Sequence, residues 1–204
     1  HEAMKTYAYE IFSELGRVPD FSFHPMGTGG GVWGTWKGYN ELAAMGVTDK
    51  VPHMVPVQPE AVCWLKRAVD SGAEVAEMYG DNTRTIAQSI SGNSPLQGGR
   101  RLIRAVRESG GAAMAVSDDE ILAAMVDLGH EGIGAEPSSA STVAAFKQAV
   151  KAGKISSSDT VVCVITGTAF KQPSVVEHIA ALPKYTIRAD VDQLKGLLVR
   201  LKLL

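Results

Sequence analysis

Residues 25–34 read Pro-Met-Gly-Thr-Gly-Gly-Gly-Val-Trp-Gly, so four of the five residues from Gly27 to Gly31 are glycine. Glycine costs backbone entropy and returns no side-chain packing, so such a run belongs where the chain bends tightly or comes close to a ligand. Before it, residues 21–26 alternate in the manner of a strand; after it, Trp33, Trp36, Tyr39, Leu42 and Ala43 recur at helical spacing as far as Gly46. A strand that feeds a glycine loop and then a helix brings successive N–H groups and the positive end of the helix dipole to one point. That combination suits an anion.

Three uses of the loop compete. A plain strand-to-helix turn needs only one or two glycines. A dinucleotide site is the second, because Gly29-x-Gly31-x-x-Gly34 fits G-x-G-x-x-G and Glu60 stands just past the next strand, where a ribose-binding acid is expected. The phosphate-binding pattern that ends in Gly-Lys-Ser/Thr is absent. The third is a cradle for the phosphate of a small cofactor, in which the amides and the Thr28 hydroxyl hold the dianion and a second loop handles the ring.

The rest of the chain supplies that second loop. The spacing predicts helices over 5–15, with Gly16 as its cap, and over 60–69, and strands over 53–57 and 112–116. Residues 70–94 carry three turn clusters and are expected to be loop-rich, lining something. A helix over 98–108 places Arg100, Arg101, Arg104 and Arg107 on a solvated face. Ser117 and Glu120 form a capping box at the head of another helix, and Glu136-Pro137-Ser138-Ser139 caps a helix through Val150. The β-branched run over 160–165 reads as a strand buried on both faces, stopping at Thr166-Gly167-Thr168. Residues 185–187 are a candidate last strand, and Asp190 caps a terminal helix. Alternating strands and helices predict an α/β fold, a mostly parallel sheet with helices on both faces. Ligands of such sheets sit at the carboxyl ends of the strands, here at 27–31 and 166–168.

Composition narrows the function by exclusion. A net charge of -2 lacks the basic excess that binding to nucleic acid requires. The two cysteines, Cys63 and Cys163, give no disulfide framework, and the five histidines show no metal-ligand spacing, so no metal is expected and a reducing, cytoplasmic setting fits. No apolar run is long enough to span a membrane, and no signal peptide is recognisable. The chain opens on His1 and turns helical at once, as though a beginning were missing.

The segments Lys5-Thr6-Tyr7-Ala8-Tyr9-Glu10-Ile11, Pro25-Met26-Gly27-Thr28-Gly29-Gly30, Trp36-Lys37-Gly38-Tyr39-Asn40-Glu41-Leu42, Thr85-Ile86-Ala87, Glu136-Pro137-Ser138-Ser139-Ala140 and Thr166-Gly167-Thr168-Ala169-Phe170-Lys171 follow one another in this order. In them the chain resembles the threonine synthases, pyridoxal-phosphate enzymes of the tryptophan synthase β-like class, fold type II. The resemblance implies an incomplete fold type II architecture, with pyridoxal 5'-phosphate as cofactor. Gly27, Thr28, Gly29, Gly30 and Gly31 would bind its phosphate, and Thr166 would face its pyridine nitrogen, where a hydroxyl can hydrogen-bond the uncharged ring. It further implies conversion of O-phospho-homoserine and water to threonine and phosphate, by a homodimer when full length.

Two departures keep relatives in view. Threonine synthases often carry Asn in place of Thr28 and Asn or a bulky apolar residue in place of Gly31, and a Gly-Thr-Gly-Gly loop is common among cysteine synthases. A cysteine or cysteate synthase, a threonine dehydratase type and a non-catalytic relic binding a phosphorylated metabolite are the alternatives. The Schiff-base lysine of the family lies in a Ser-x-x-x-Lys stretch, and no lysine here has that context; Lys171 follows the Thr166 loop and corresponds to another family lysine. Residues 1–204 are thus expected to be the C-terminal portion of the catalytic domain, inactive alone, with an unpaired sheet edge and exposed apolar surface.

Overall fold

A computed structural model describes residues 2–80, 83–180 and 185–204. Its centre is a four-stranded, wholly parallel sheet of β1 (Phe21–Pro25), β2 (His53–Pro59), β3 (Met114–Val116) and β4 (Val161–Cys163), in the order β3-β2-β1-β4. The chain steps outward from β1 to β2 to β3, then returns to place β4 on the free side of β1. The registers Phe21↔His53 and Phe21↔Val161 start all three neighbours level. Asp20 fixes that start, since its carboxylate accepts from Thr160 N–H at 2.8 Å and from Lys50 Nζ at 2.9 Å.

Strand alternation sorts the side chains to two layers. Phe23, Val55, Val57 and Val116 face α6 (Pro137–Lys151) and α5 (Asp118–His130), packing on Ala140, Ala144, Ala145 and Ala149 and on Ile121, Met125 and Leu128. The small residues of α6 let its axis lie close to the sheet. On the other face Met26 and Met54 pack with Val32 and Trp36 of α2 (Gly30–Ala44), Trp64 and Leu65 of α3 (Trp64–Asp70), and Leu102 and Ile103 of α4 (Arg100–Glu108). Outside α2 lies α1 (Thr6–Leu15), in contact so close that a Cβ on Gly38 would stand 2.8 Å from that of Ala8.

Several sequence expectations meet their limits here. The capping box forms as expected, with Glu120 N–H to Ser117 Oγ at 3.2 Å and Ser117 N–H to Glu120 Oε2 at 2.8 Å. The helix expected over 60–69 is broken at Cys63, whose ψ of 49° is not helical, leaving a 3-10 turn before α3. The arginines of α4 are exposed, but Arg101 and Arg104 also lie over the rings of Trp33 and Trp36 at 5.8 and 5.7 Å. β4 is an edge strand, half-buried throughout rather than buried on both faces, because β1 is its one partner among the described residues. Residues 185–187 form no strand, and Asp190 does cap the helix Val191–Arg200, accepting from Asp192 and Gln193 N–H at 2.9 Å. No described helix is long and apolar enough to cross a membrane.

Candidate functional site

The order β3-β2-β1-β4 has its switch point between β1 and β4, where the chain turns to opposite sides of one strand. A crevice opens at the carboxyl ends of such a pair. β1 runs into the glycine loop and β4 into Thr166. Because Phe23 is level with Cys163, three further residues bring Met26 and Thr166 to the same edge. The two loops that the sequence singles out are therefore neighbours.

The glycine loop is shaped by contacts behind it. Met26 N–H continues the sheet to Val57 O at 2.9 Å, and the next backbone donation is from Trp33 to Gly29 O at 3.0 Å. Between them, none of the N–H groups from Gly27 to Val32 has a protein acceptor among the described residues. Gly29, at φ 81°, is the N-cap of α2 and offers no side chain to its amides. Its missing Cβ would stand 2.3 Å from Leu102 Cδ1, so α4 packs directly on the bend. A Cβ on Gly27 would meet Ser89 O at 3.2 Å, whereas one on Gly31 would meet nothing within 4 Å. Six free donors, a helix start and open space before Gly31 are what a phosphate needs. The Thr28 hydroxyl is exposed beside them.

Across the crevice, Ser139 in the first turn of α6 shapes the second loop. Its Oγ accepts from the N–H groups of both Thr166 and Gly167 at 2.9 Å and lies 3.1 Å from Thr166 Oγ1. This leaves Thr166 exposed, its hydroxyl steered by one neighbour. Beneath it Glu136, 1% exposed, accepts from Lys171 Nζ at 3.1 Å and from Ser89 Oγ at 3.3 Å. A Cβ on Gly167 would overlap Glu136 Oε1 at 2.1 Å, so a side chain here would displace the Glu136 carboxylate.

Ser89, Glu136, Ser139 and Lys171 were not singled out as site residues by the sequence. The available signal was Glu136-Pro137-Ser138-Ser139 itself. An acid at the cap of a helix is expected to accept from that helix's amides, yet the Glu136 carboxylate makes no such bond and is spent elsewhere. Residues 85–90, within the loop-rich stretch, bury Ala87 and Ile90 in the core and bring Ser89 up to Gly27 and Glu136. Asp118 holds them through Ile86 N–H at 3.1 Å, and Gln172 through Ile86 O at 3.0 Å.

Other features lie apart from the crevice. A cavity of about 650 Å³ opens at the amino end of the strands beside Phe21, His53 and Ile155. A smaller one of about 210 Å³ flanks the glycine loop between Thr28, Trp33, Gln97 and Arg101. Burial holds the His24 imidazole down at about 4, Ser22 Oγ being its hydrogen-bond partner at 3.0 Å, and pushes the Cys163 thiol up to about 12. Among the described residues no group of three or more His, Cys, Asp or Glu side chains could hold a metal ion.

Topology alone does not choose between a dinucleotide and a smaller cofactor, since the strand order 3-2-1-4 also occurs in dinucleotide-binding sheets. Comparison with known proteins does. Residues 1–167 match the family described as pyridoxal-phosphate dependent enzyme. The threonine synthase of Methanosarcina acetivorans is 38% identical over 196 residues, covering 95% of this chain and 48% of that protein. That of Methanocaldococcus jannaschii is 34% identical, covering 98% and 49%. The chain thus spans about half the length of these relatives. Among solved structures, an L-serine ammonia-lyase from Rhizomucor miehei superposes with a TM-score of 0.70 at 19% identity, over 90% of this chain and 56% of that one. A serine racemase from Dictyostelium discoideum gives 0.62 at 23%, over 81% and 48%. Those two likenesses establish the shared fold, and the family match over most of the chain establishes descent: the protein belongs to the pyridoxal-phosphate dependent enzymes of fold type II.

Proposed function

We propose that this chain is the cofactor-phosphate-holding portion of a threonine synthase, which converts O-phospho-homoserine and water to threonine and phosphate. The observation that carries the cofactor assignment is the run of six N–H groups, Gly27 to Val32, without a protein acceptor among the described residues. The choice of reaction is supported by the relatives named threonine synthase at 38% and 34% identity. When bound, the cofactor's conjugated ring accepts electron density from the substrate's α-carbon.

The chain's own residues bind and orient. The amides of Gly27 to Gly31 hold the phosphate dianion with the Thr28 hydroxyl, and the α2 dipole adds to their pull. The Thr166 hydroxyl donates to the ring nitrogen while accepting from Ser139, an arrangement open to a hydroxyl pair but not to a carboxylate. A hydroxyl leaves the nitrogen unprotonated, which limits the charge the ring collects. The residue that moves protons in the reaction is not among these, and the Schiff-base lysine is expected outside the 204 residues.

A thermal melt of the purified chain tests this reading. Pyridoxal 5'-phosphate should raise Tm, by the mass action of a ligand that binds only the folded state, and NAD should not. Stabilisation by NAD alone would overturn it. Assayed with O-phospho-homoserine, the 204-residue chain should release no phosphate, and release would refute its being a part.

A further inference from the structure

Glu136 is sealed from solvent at 1% exposure, and its carboxylate, unlike its backbone carbonyl, accepts from none of the amides of the helix it heads. Its contacts go instead to segments far apart in sequence. Oε2 accepts from Ser89 Oγ at 3.3 Å, and the carbonyl of Ser89 is the atom on which Gly27 rests, at 3.2 Å from where a Cβ would be. Oε1 accepts from Lys171 Nζ at 3.1 Å and lies where a Gly167 side chain would begin, while the Glu136 N–H donates to Gly167 O at 3.0 Å. One residue therefore touches both the segment behind the glycine loop and the loop that bears Thr166.

We propose that Glu136 is a positioning residue that sets the separation of the two loops, so that a ligand reaching from the amides of Gly27 to Gly31 to the Thr166 hydroxyl finds both ends at once. This rests on the reading that the loops take opposite ends of one cofactor. A carboxylate suits the task because both of its oxygens only accept, so it draws the Ser89 hydroxyl and the Lys171 ammonium toward itself together, and charge strengthens each bond. Buried without Lys171 it would be a poorly compensated charge; with it, the tie is held from the solvent side by a residue whose side chain is 53% exposed.

The role separates two ligands. Pyridoxal 5'-phosphate spans the loops, whereas inorganic phosphate uses one of them. In equilibrium dialysis with the purified chain, Ser89→Ala and Glu136→Gln should each weaken pyridoxal 5'-phosphate by about ten-fold, the effect of one charge-assisted hydrogen bond. Inorganic phosphate should stay within about two-fold, because the amides are untouched. Ser89 is exposed, so its variant is expected to fold even if a variant at Glu136 does not. Hydrogen exchange gives a readout without any ligand: Ser89→Ala should speed exchange of the Thr166 and Gly167 amides, and should add nothing in a Glu136→Ala background. Equal weakening of both ligands, unchanged affinity for both, or undisturbed exchange at Thr166 and Gly167 would each overturn the proposal while leaving the cofactor reading intact. Failure of the unmodified chain to take up pyridoxal 5'-phosphate would overturn both.

Discussion

Two glycines of the same loop should respond to alanine in opposite ways. Gly29 sits at φ 81°, and its Cβ would stand 2.3, 2.5 and 2.9 Å from three carbons of Leu102, itself 5% exposed. Gly29→Ala therefore incurs the left-handed backbone penalty of about 1–2 kcal/mol and an overpacking cost of about 1–3 kcal/mol as Leu102 is displaced within the core. Together that is about 2–5 kcal/mol, a large share of the ordinary stability of about 5–15 kcal/mol. Gly31 has no positive φ and open space where a Cβ would go. Gly31→Ala, in the first turn of α2, should instead stabilise the fold by about 0.5 kcal/mol, through lost entropy of the unfolded chain. The same methyl enters the space before the amides, so binding of pyridoxal 5'-phosphate should weaken by about ten-fold or more. Urea unfolding reads the first quantity and dialysis the second. A Gly29→Ala variant within about 0.5 kcal/mol of the parent would refute the packing argument. A Gly31→Ala variant that binds the cofactor as before would remove the phosphate from this loop.

Other consequences follow from single contacts. Ser139→Ala strands the N–H groups of Thr166 and Gly167, and should lower stability by about 1–3 kcal/mol in urea titrations. Ser117→Ala dismantles the α5 capping box, with an expected loss of about 1 kcal/mol by the same assay. His24 titrates at about 4 when folded against 6.5 ordinarily, so between those values the unfolded chain binds the proton that the folded chain refuses. Stability from this group is complete above about 6.5 and falls as pH drops toward 4, by about 3 kcal/mol in all. Melts of His24→Gln across that window should show a shallower fall than the parent; an identical slope would refute the assignment.

Much of the fold is written locally. The capping box at Ser117, the left-handed cap at Gly16 and the strand before the glycine loop depend on neighbours in sequence, and they stand where periodicity and cap chemistry put them. What depends on distant parts was harder to read. The β-branched composition of 160–165 reports a preference for strand, not how many neighbours the strand will have, and β4 proves to be an edge. Cys63 interrupts a helical pattern for a tertiary reason. Gln58, 1% exposed, reaches over it to hydrogen-bond Val62 O and Leu65 N–H at 2.9 Å, and this fixes the turn. The same distinction divides the site. Gly27 to Gly31 announce themselves because a run of glycine is costly anywhere, and Thr166 because it follows a β-branched run. Ser89, Glu136 and Ser139 are ordinary residues made special by contacts spanning 27 to 47 positions.

The glycine loop also shows why a motif match can point at two cofactors. Gly29-x-Gly31-x-x-Gly34 satisfies the dinucleotide pattern, in which the third glycine serves helix-to-strand packing, and Gly34 is indeed buried in α2. What the pattern does not encode is the glycine two places before it. Gly27 lets the Ser89 carbonyl approach to 3.2 Å of its absent Cβ, which brings residues 88–90 against the loop and, through Ser89, within reach of Glu136. An alanine at Gly27 would push on backbone rather than on a flexible side chain, so Ser89 would have to retreat by a few tenths of an ångström. Gly27→Ala should then loosen the Ser89 to Glu136 bond, and it should speed amide exchange at Thr166 and Gly167 much as Ser89→Ala does. If exchange at those two amides stays at the parental rate, the loops are independent and the glycine at 27 serves only its own bend.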